Sequence, residues 1–234
     1  MAPVLEIAGV SKRYGALRPL RVQQLAVATG ESAAIVGLDQ GAAEILVNLV
    51  TGATLPDAGE IRLFGRATSD IRDSADWLAT VDRFGIVSDR AVLLDQLTVV
   101  QNLAMPFTLE VEPPSEEVRM RALALAREIG IAESALETPV GGISASARMR
   151  VRLGRALALD PHILLLEHAT VSIDAAAAQT LGRDVRAIAA RRRLALVALT
   201  ADTAFAEAAT ARVLVHNPAT GALNEKRRSW FSRR

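Results

Sequence analysis

Residues 143–174 read ISASARMRVRLGRALALDPHILLLEHATVSID, and their order decides the fold. A basic amphipathic stretch, residues 148–159, stops at Asp160-Pro161, and four apolar residues then lead into Glu167-His168. Apolar positions at helical spacing predict a helix, and proline ends it because it lacks an N–H and clashes with the preceding turn. The apolar run that follows predicts a short buried strand.

The segment RALALDP, residues 155–161, is the intact centre of this stretch. The whole stretch resembles the ATP-binding cassette (ABC) ATPases, the motor subunits of ABC transporters. There an LSGGQ-type signature precedes RAL-A-x-D-P, four apolar residues and an Asp-Glu pair. Laid on that frame without gaps, the signature is Ile143-Ser144-Ala145-Ser146-Ala147 and the acidic pair is Glu167-His168, with Asp174 at the D-loop position.

Upstream, residues 32–36 predict a short apolar strand ending at Gly37, and residues 44–50 the apolar start of a helix that stops at Gly52. Strand, glycine turn and helix are the frame of a P-loop. That loop needs G-x-x-x-x-G-K-[ST], because backbone N–H groups cradle phosphates, the lysine reaches the β and γ oxygens and the hydroxyl holds Mg²⁺. The residues here are Gly37-Leu38-Asp39-Gln40-Gly41-Ala42-Ala43-Glu44, followed by Ile45, so Ala43 replaces the lysine and Glu44 the hydroxyl. Asn48-Leu49-Val50-Thr51-Gly52 and Pro56-Asp57-Ala58-Gly59-Glu60-Ile61 repeat the family's downstream text at the same spacing.

Other positions are placed by the same resemblance. Tyr14, the only tyrosine, stands where an aromatic residue stacks on adenine, and it reads equally well as a tyrosine half-buried at a strand end. Ser88-Asp89 follows a strand at 86–87, where the family carries a glutamine that contacts Mg²⁺. Thr200-Ala201-Asp202 stands where the family has Thr-His-Asp, so Ala201 replaces the histidine that senses the γ-phosphate. Leu97-Thr98-Val99-Val100-Gln101-Asn102 resembles the opening of the family's helical subdomain, and Ala104-Met105-Pro106 resembles cassettes that serve lipid or lipoprotein export.

Strands are expected at 4–10, 25–28, 60–64, 194–199 and 212–215, and helices at 73–80, 116–129 and from 175 to about 190. The implied fold is α/β: a P-loop NTPase-like ABC ATPase with a RecA-like core, an antiparallel β subdomain and an inserted α-helical subdomain. It is one domain over 1–234, with core and β subdomain from 1–88 and 146–234 and the helical subdomain at 89–145.

A chain of 234 residues, half of them apolar, buries a core easily and is not disordered. A formal net charge of +1 argues against a nucleic-acid partner, since such proteins carry a basic excess. The chain has no cysteine, which rules out disulfides and thiolate chemistry and fits a reducing compartment. MAPVLEIAGVSKRYG has no secretory pattern, and no apolar run approaches the roughly 20 residues of a membrane span. A cytoplasmic protein, peripheral to the inner face of the membrane, is expected.

The resemblance implies ATP and Mg²⁺ as cofactors, a membrane permease as partner, and a homodimer or heterodimer of cassettes. The substitutions point the other way. A carboxylate at Glu44 about 4 Å from a phosphate charge costs on the order of 4 kcal/mol at an effective dielectric near 20. At the hydrolytic centre, His168 takes the place of the base and Glu167 that of the metal-coordinating Asp, while Ala145 and Ser146 replace the glycines by which the signature's backbone approaches phosphate. The free N–H groups at the start of the helix near Ala43 are expected to be capped by Glu44 or Asp39 instead of phosphate. Three readings follow: a degenerate cassette subunit with a structural or regulatory role beside a permease, a working ATPase with substituted groups, and an interaction module with no permease. The basic tail, residues 226–234, carries Trp230 and Phe231 and is a weaker candidate for membrane contact.

Overall fold

The computed structural model describes residues 2–226. The chain runs β1 (Pro3–Lys12), β2 (Leu20–Ala28), β3 (Ser32–Val36), α1 (Gln40–Val50), β4 (Ala58–Leu63), β5 (Arg66–Ala67), α2 (Ser74–Val81) and β6 (Phe84–Ser88). It continues through α3 (Val99–Ala104), α4 (Glu116–Glu128), α5 (Ala145–Leu157), β7 (Ile163–Glu167), α6 (Ala175–Arg192), β8 (Ala195–Thr200), α7 (Thr203–Ala209), β9 (Arg212–His216) and β10 (Leu223–Glu225). Apart from Lys226, the basic tail lies outside the described residues.

Two sheets form, one of four strands in the order β2-β1-β4-β5 and one of six in the order β10-β9-β3-β8-β7-β6. The first is antiparallel, and β9-β3-β8-β7-β6 of the second is parallel throughout. Both faces of the parallel sheet are covered, which is why β7 is apolar at every position before Glu167. Ile35, Ile163, Leu165 and Val197 face one cluster with α1 and the antiparallel sheet, and Leu164, Leu166 and Leu196 face another with the remaining large helices.

Residues of α3 and α4, such as Leu103, Ala122 and Leu125, share that second cluster with Leu166 of β7 and Val185 of α6. The helical segment therefore has no core separate from that of the sheet. Two arginines tie it further. Arg192, at the end of α6, grips both oxygens of Glu128 on α4 and donates to the Leu157 carbonyl of α5 at 2.8 Å. Arg150 of α5 donates to the Ile129 carbonyl and to Asp184 of α6, each at 2.6 Å. Close approach of α5 to β6 depends on Gly85, where a Cβ would lie 2.4 Å from the Ala156 carbonyl oxygen.

Several elements differ from the sequence expectation. β2 begins at Leu20 and not at 25, because Arg21, Gln23 and Gln24 on this edge strand face outward and dilute its apolar pattern. α1 begins at Gln40 and not at 44, and α5 at Ala145 and not at 148, each started by a capping side chain one residue earlier. The short β5, α7 and β10 carry too few residues for a periodic signal.

Candidate functional site

The C-terminal ends of β3, β6, β7 and β8 lie side by side, with Val36 opposite Thr200, Ser88 opposite Glu167 and Glu167 opposite Leu199. Parallel α/β sheets present their ligand sites at this edge. The loops leaving it carry most of the residues singled out in the sequence.

After β3 the chain turns at Gly37, whose φ of +94° favours glycine and where a Cβ would sit 3.3 Å from the His216 carbonyl oxygen. Asp39 then caps α1: its carboxylate accepts from the Ala42 N–H at 2.7 Å and its carbonyl from the Ala43 N–H at 2.9 Å. Helical winding begins at Gln40, so Gly41, Ala42 and Ala43 lie within the first turn of a helix. Ala43 is fully buried, and Ile45 packs partly on the inner cluster. Of the two capping carboxylates the sequence allows, Asp39 serves and Glu44 does not.

Glu44 turns instead to Arg90, a residue the sequence reading passed over. Arg90 Nη1 lies 2.6 Å from Glu44 Oε1, and Nη2 lies 2.6 Å from Glu167 Oε2. The Glu167 residue is only 2% exposed, whereas the side chains of Arg90 and Glu44 are both a little over two-fifths exposed. The hydrogen bond to Glu167, with the charge of both carboxylates, pushes the Arg90 guanidinium above its ordinary pKa against the opposing effect of burial. Repulsion of phosphate by an unpaired Glu44 is thereby corrected: its charge is shared with Arg90, and one guanidinium between two carboxylates leaves one formal negative charge. The family frame gives position 90 no role, and the one sequence hint is that Arg90 is the only basic residue in 89–98, close after the strand that β7 pairs with.

The loop that aims Arg90 is itself held. Ser88, buried, accepts from the Arg90 N–H at 3.2 Å. From α5, Arg152 donates to the carbonyls of Ala91 at 2.9 Å and Asp89 at 3.1 Å, Arg155 to Val92 at 2.7 Å, and Arg148 to the Asp95 carboxylate at 2.8 Å. Positions 148, 152 and 155 share one helical face, so one side of α5 staples residues 89–95. Burial lowers the Arg152 and Arg155 pKa values from their ordinary range.

His168 follows β7 with φ +44°, in left-handed backbone that few non-glycine residues adopt. Its N–H donates to the Leu199 carbonyl at 2.8 Å, while its buried ring Nε2 has no partner among the described residues. Ala201 is exposed beyond β8, and Asp202 caps α7 through the Phe205 N–H at 2.9 Å. Ser144 caps α5 through the Ala147 N–H at 3.2 Å, with Ala145 and Ser146 in the first turn, and Asp174 caps α6 through Ala177 at 2.9 Å. Among the described residues, positions 144–147 and Asp174 make no hydrogen bond or ion pair with the residues that follow β3.

Tyr14 lies half-buried against the inner cluster, its ring over the start of α1, 3.5 Å from where a Gly41 Cβ would be. Burial first, then Asp39, raises its pKa. Asp57 fixes the backbone before it, accepting from the Arg13 N–H at 2.7 Å and Lys12 Nζ at 2.9 Å, and these bonds hold its carboxyl below the ordinary range. Tyr14, Leu17, Asp39, Ala42 and His216 line a cavity of about 420 Å³. Both readings of Tyr14 fit this setting: it sits at a strand end and it faces an open space beside the loop. Among the described residues no three His, Asp or Glu side chains gather closely enough to hold a metal ion.

A family model described as "ABC transporter" matches residues 20–171. The lipoprotein-releasing system ATP-binding protein LolD of Maricaulis maris is 33% identical over 218 residues, covering 92% of this chain and 88% of LolD. The methionine import ATP-binding protein MetN of Brucella abortus is 29% identical over 92% of this chain, which spans 57% of MetN's length. Among solved structures, the ADP- and phosphate-bound dimer of the cassette MJ0796 superposes with a TM-score of 0.77 at 22% identity, over 97% of this chain and all of that one. CbiO1 of Clostridium perfringens superposes with a TM-score of 0.80 at 18% identity, over 95% of this chain and 87% of CbiO1.

Proposed function

The chain belongs to the ABC transporter family, and from that premise we propose that it is a cassette subunit acting beside a membrane permease without hydrolysing ATP. The observation that carries this reading is the start of α1. Phosphate is held in a P-loop by backbone N–H groups with a lysine beside them. Here Asp39 takes the N–H groups of Ala42 and Ala43, and Ala43 is buried where the lysine would stand. The guanidinium of Arg90 lies between the carboxylates that replace the metal-holding groups. These residues do not fit a magnesium nucleotide.

The reading places the subunit in the cytoplasm at the inner face of the membrane, in a homodimer or heterodimer of cassettes, with residues 89–145 as the helical subdomain that meets the permease. Support comes from a groove of about 380 Å³ between that segment and the sheet, whose apolar wall includes Phe84, Ile86, Leu93, Met105, Pro106 and Leu159 and which Asp82, Arg152 and Arg155 also line. Its apolar lining includes Leu159, left 56% exposed. No helix among the described residues is long and apolar enough to cross a membrane.

Titration calorimetry of the purified chain with Mg²⁺-ATP tests the loss of nucleotide chemistry. No binding heat at millimolar nucleotide and no phosphate release above a buffer blank are expected. Micromolar binding, or turnover abolished by His168→Ala, sends the reading to the second alternative, an ATPase with substituted groups.

A further inference from the structure

We propose that Arg90 is the resident cation of this chain: its guanidinium holds the place between Glu44 and Glu167 that a divalent metal would otherwise need, and so, together with the α5 arginines, fixes residues 88–95 with nothing bound. The inference rests on and deepens the reading of a site without nucleotide chemistry, which is carried by the start of α1, and its test reads the Arg90 contacts alone. Glu167 is the most deeply buried carboxylate at this edge, and Arg90 Nη2 is the only hydrogen-bond donor to its side chain among the described residues. A carboxylate in that position needs a positive partner, and a guanidinium with two separate nitrogens serves two carboxylates at once. Both contacts are 2.6 Å, that to Glu167 a charge-assisted hydrogen bond and that to Glu44 an ion pair.

The three side chains also come from three different parts of the chain. Glu44 lies in α1, Glu167 ends β7, and Arg90 stands in the loop that leads from β6 to α3. Bridging them joins the first helix of the sheet to the loop that opens the helical segment. A bound metal makes such a joint conditional on its supply, whereas a side chain makes it permanent. On this reading residues 88–95 hold one setting at any concentration of Mg²⁺ or nucleotide.

Hydrogen–deuterium exchange over residues 88–95, without nucleotide and with or without millimolar Mn²⁺, tests the proposal on the full chain. The wild type is expected to show slow exchange that Mn²⁺ does not change. Arg90→Ala is expected to exchange about ten-fold faster there, to bind Mn²⁺ by the two freed carboxylates, and to regain slow exchange when Mn²⁺ is present. Arg90→Ala combined with Glu167→Gln is expected to lose the Mn²⁺ response while keeping the fast exchange. A wild type that responds to Mn²⁺, or an Arg90→Ala chain that exchanges like the wild type or ignores Mn²⁺, overturns the proposal.

Should Arg90→Ala fail to fold, Arg90→Gln with Glu167→Gln replaces the ion pair by a neutral one. Faster exchange at 88–95 in that folded chain supports the proposal, and unchanged exchange overturns it. Because no nucleotide is present in any arm, Mg²⁺-ATP binding by the wild type would refute the proposed function while leaving this result to be read separately.

Discussion

Glu167 brings a negative charge to a position 2% exposed, and its stability rests on one neighbour. Removing one member of a buried ion pair costs more than the pair contributes, because the other charge is left without water or partner. Arg90 is itself partly exposed, so the expected loss for Arg90→Ala is about 1–3 kcal/mol, below that of a fully buried pair. Glu167→Gln is expected to cost less, and the double variant less than the sum of the two, as urea midpoints of the four chains in a mutant cycle will show. Strictly additive losses would mean that Arg90 and Glu167 do not depend on each other. At this scale the sequence disclosed the two carboxylates but not their bridge. Family order assigns a role by position, and Arg90 stands at a position to which the family frame gives none.

Within α1 the deciding residue is Asp39, and the element shows where a sequence pattern misleads. Gly37 and Gly41 frame the segment as a loop, yet the cap at Asp39 starts the helix at Gln40. Replacing an aspartate cap by alanine costs about 1 kcal/mol, so Asp39→Ala should lower the urea midpoint accordingly. The same cap decides what would restore nucleotide binding. Ala43→Lys with Glu44→Thr returns the family's charged residue and hydroxyl but leaves the Ala42 N–H paired with Asp39 and Arg90 beside Glu167. That double variant is expected not to bind a fluorescent ATP analogue. Adding Asp39→Ser and Arg90→Gln is expected to produce measurable binding without hydrolysis, since His168 and Ala201 are unchanged. Binding by the double variant alone would show that Asp39 gives way to phosphate. β3 fell within the expected bounds and β7 ran one residue beyond them, through Glu167, because their apolar runs are covered on both faces. α7 and β10, set by contacts distant in sequence, were not legible.

Across the whole molecule, the resemblance to the family implied the parallel sheet, the antiparallel sheet and the helical segment, while strands, breaks and glycines placed their elements along the chain. What could not be read is how little separates the helical segment from the sheet, because one cluster of buried side chains runs through both. Excising 89–145 would therefore remove core as well as surface, and permease contact is better tested by point changes in the groove. Leu159→Glu and Met105→Glu, at residues that are not fully buried, are expected to abolish co-purification with the permease while leaving the melting temperature near that of the wild type. Undiminished co-purification would move the contact elsewhere.

The two sets of arginine clamps, one on the loop before α3 and one at the end of α4, have a mechanical consequence. Arg192 fastens α4 and the end of α5 to α6, while Arg90 and the α5 arginines fasten the loop before α3. A plate screwed down at one corner swings about it, but screwed down at two it has no axle. A force applied at the groove is then expected to move the sheet and the helical segment together, as one wedge, with little flexing between them.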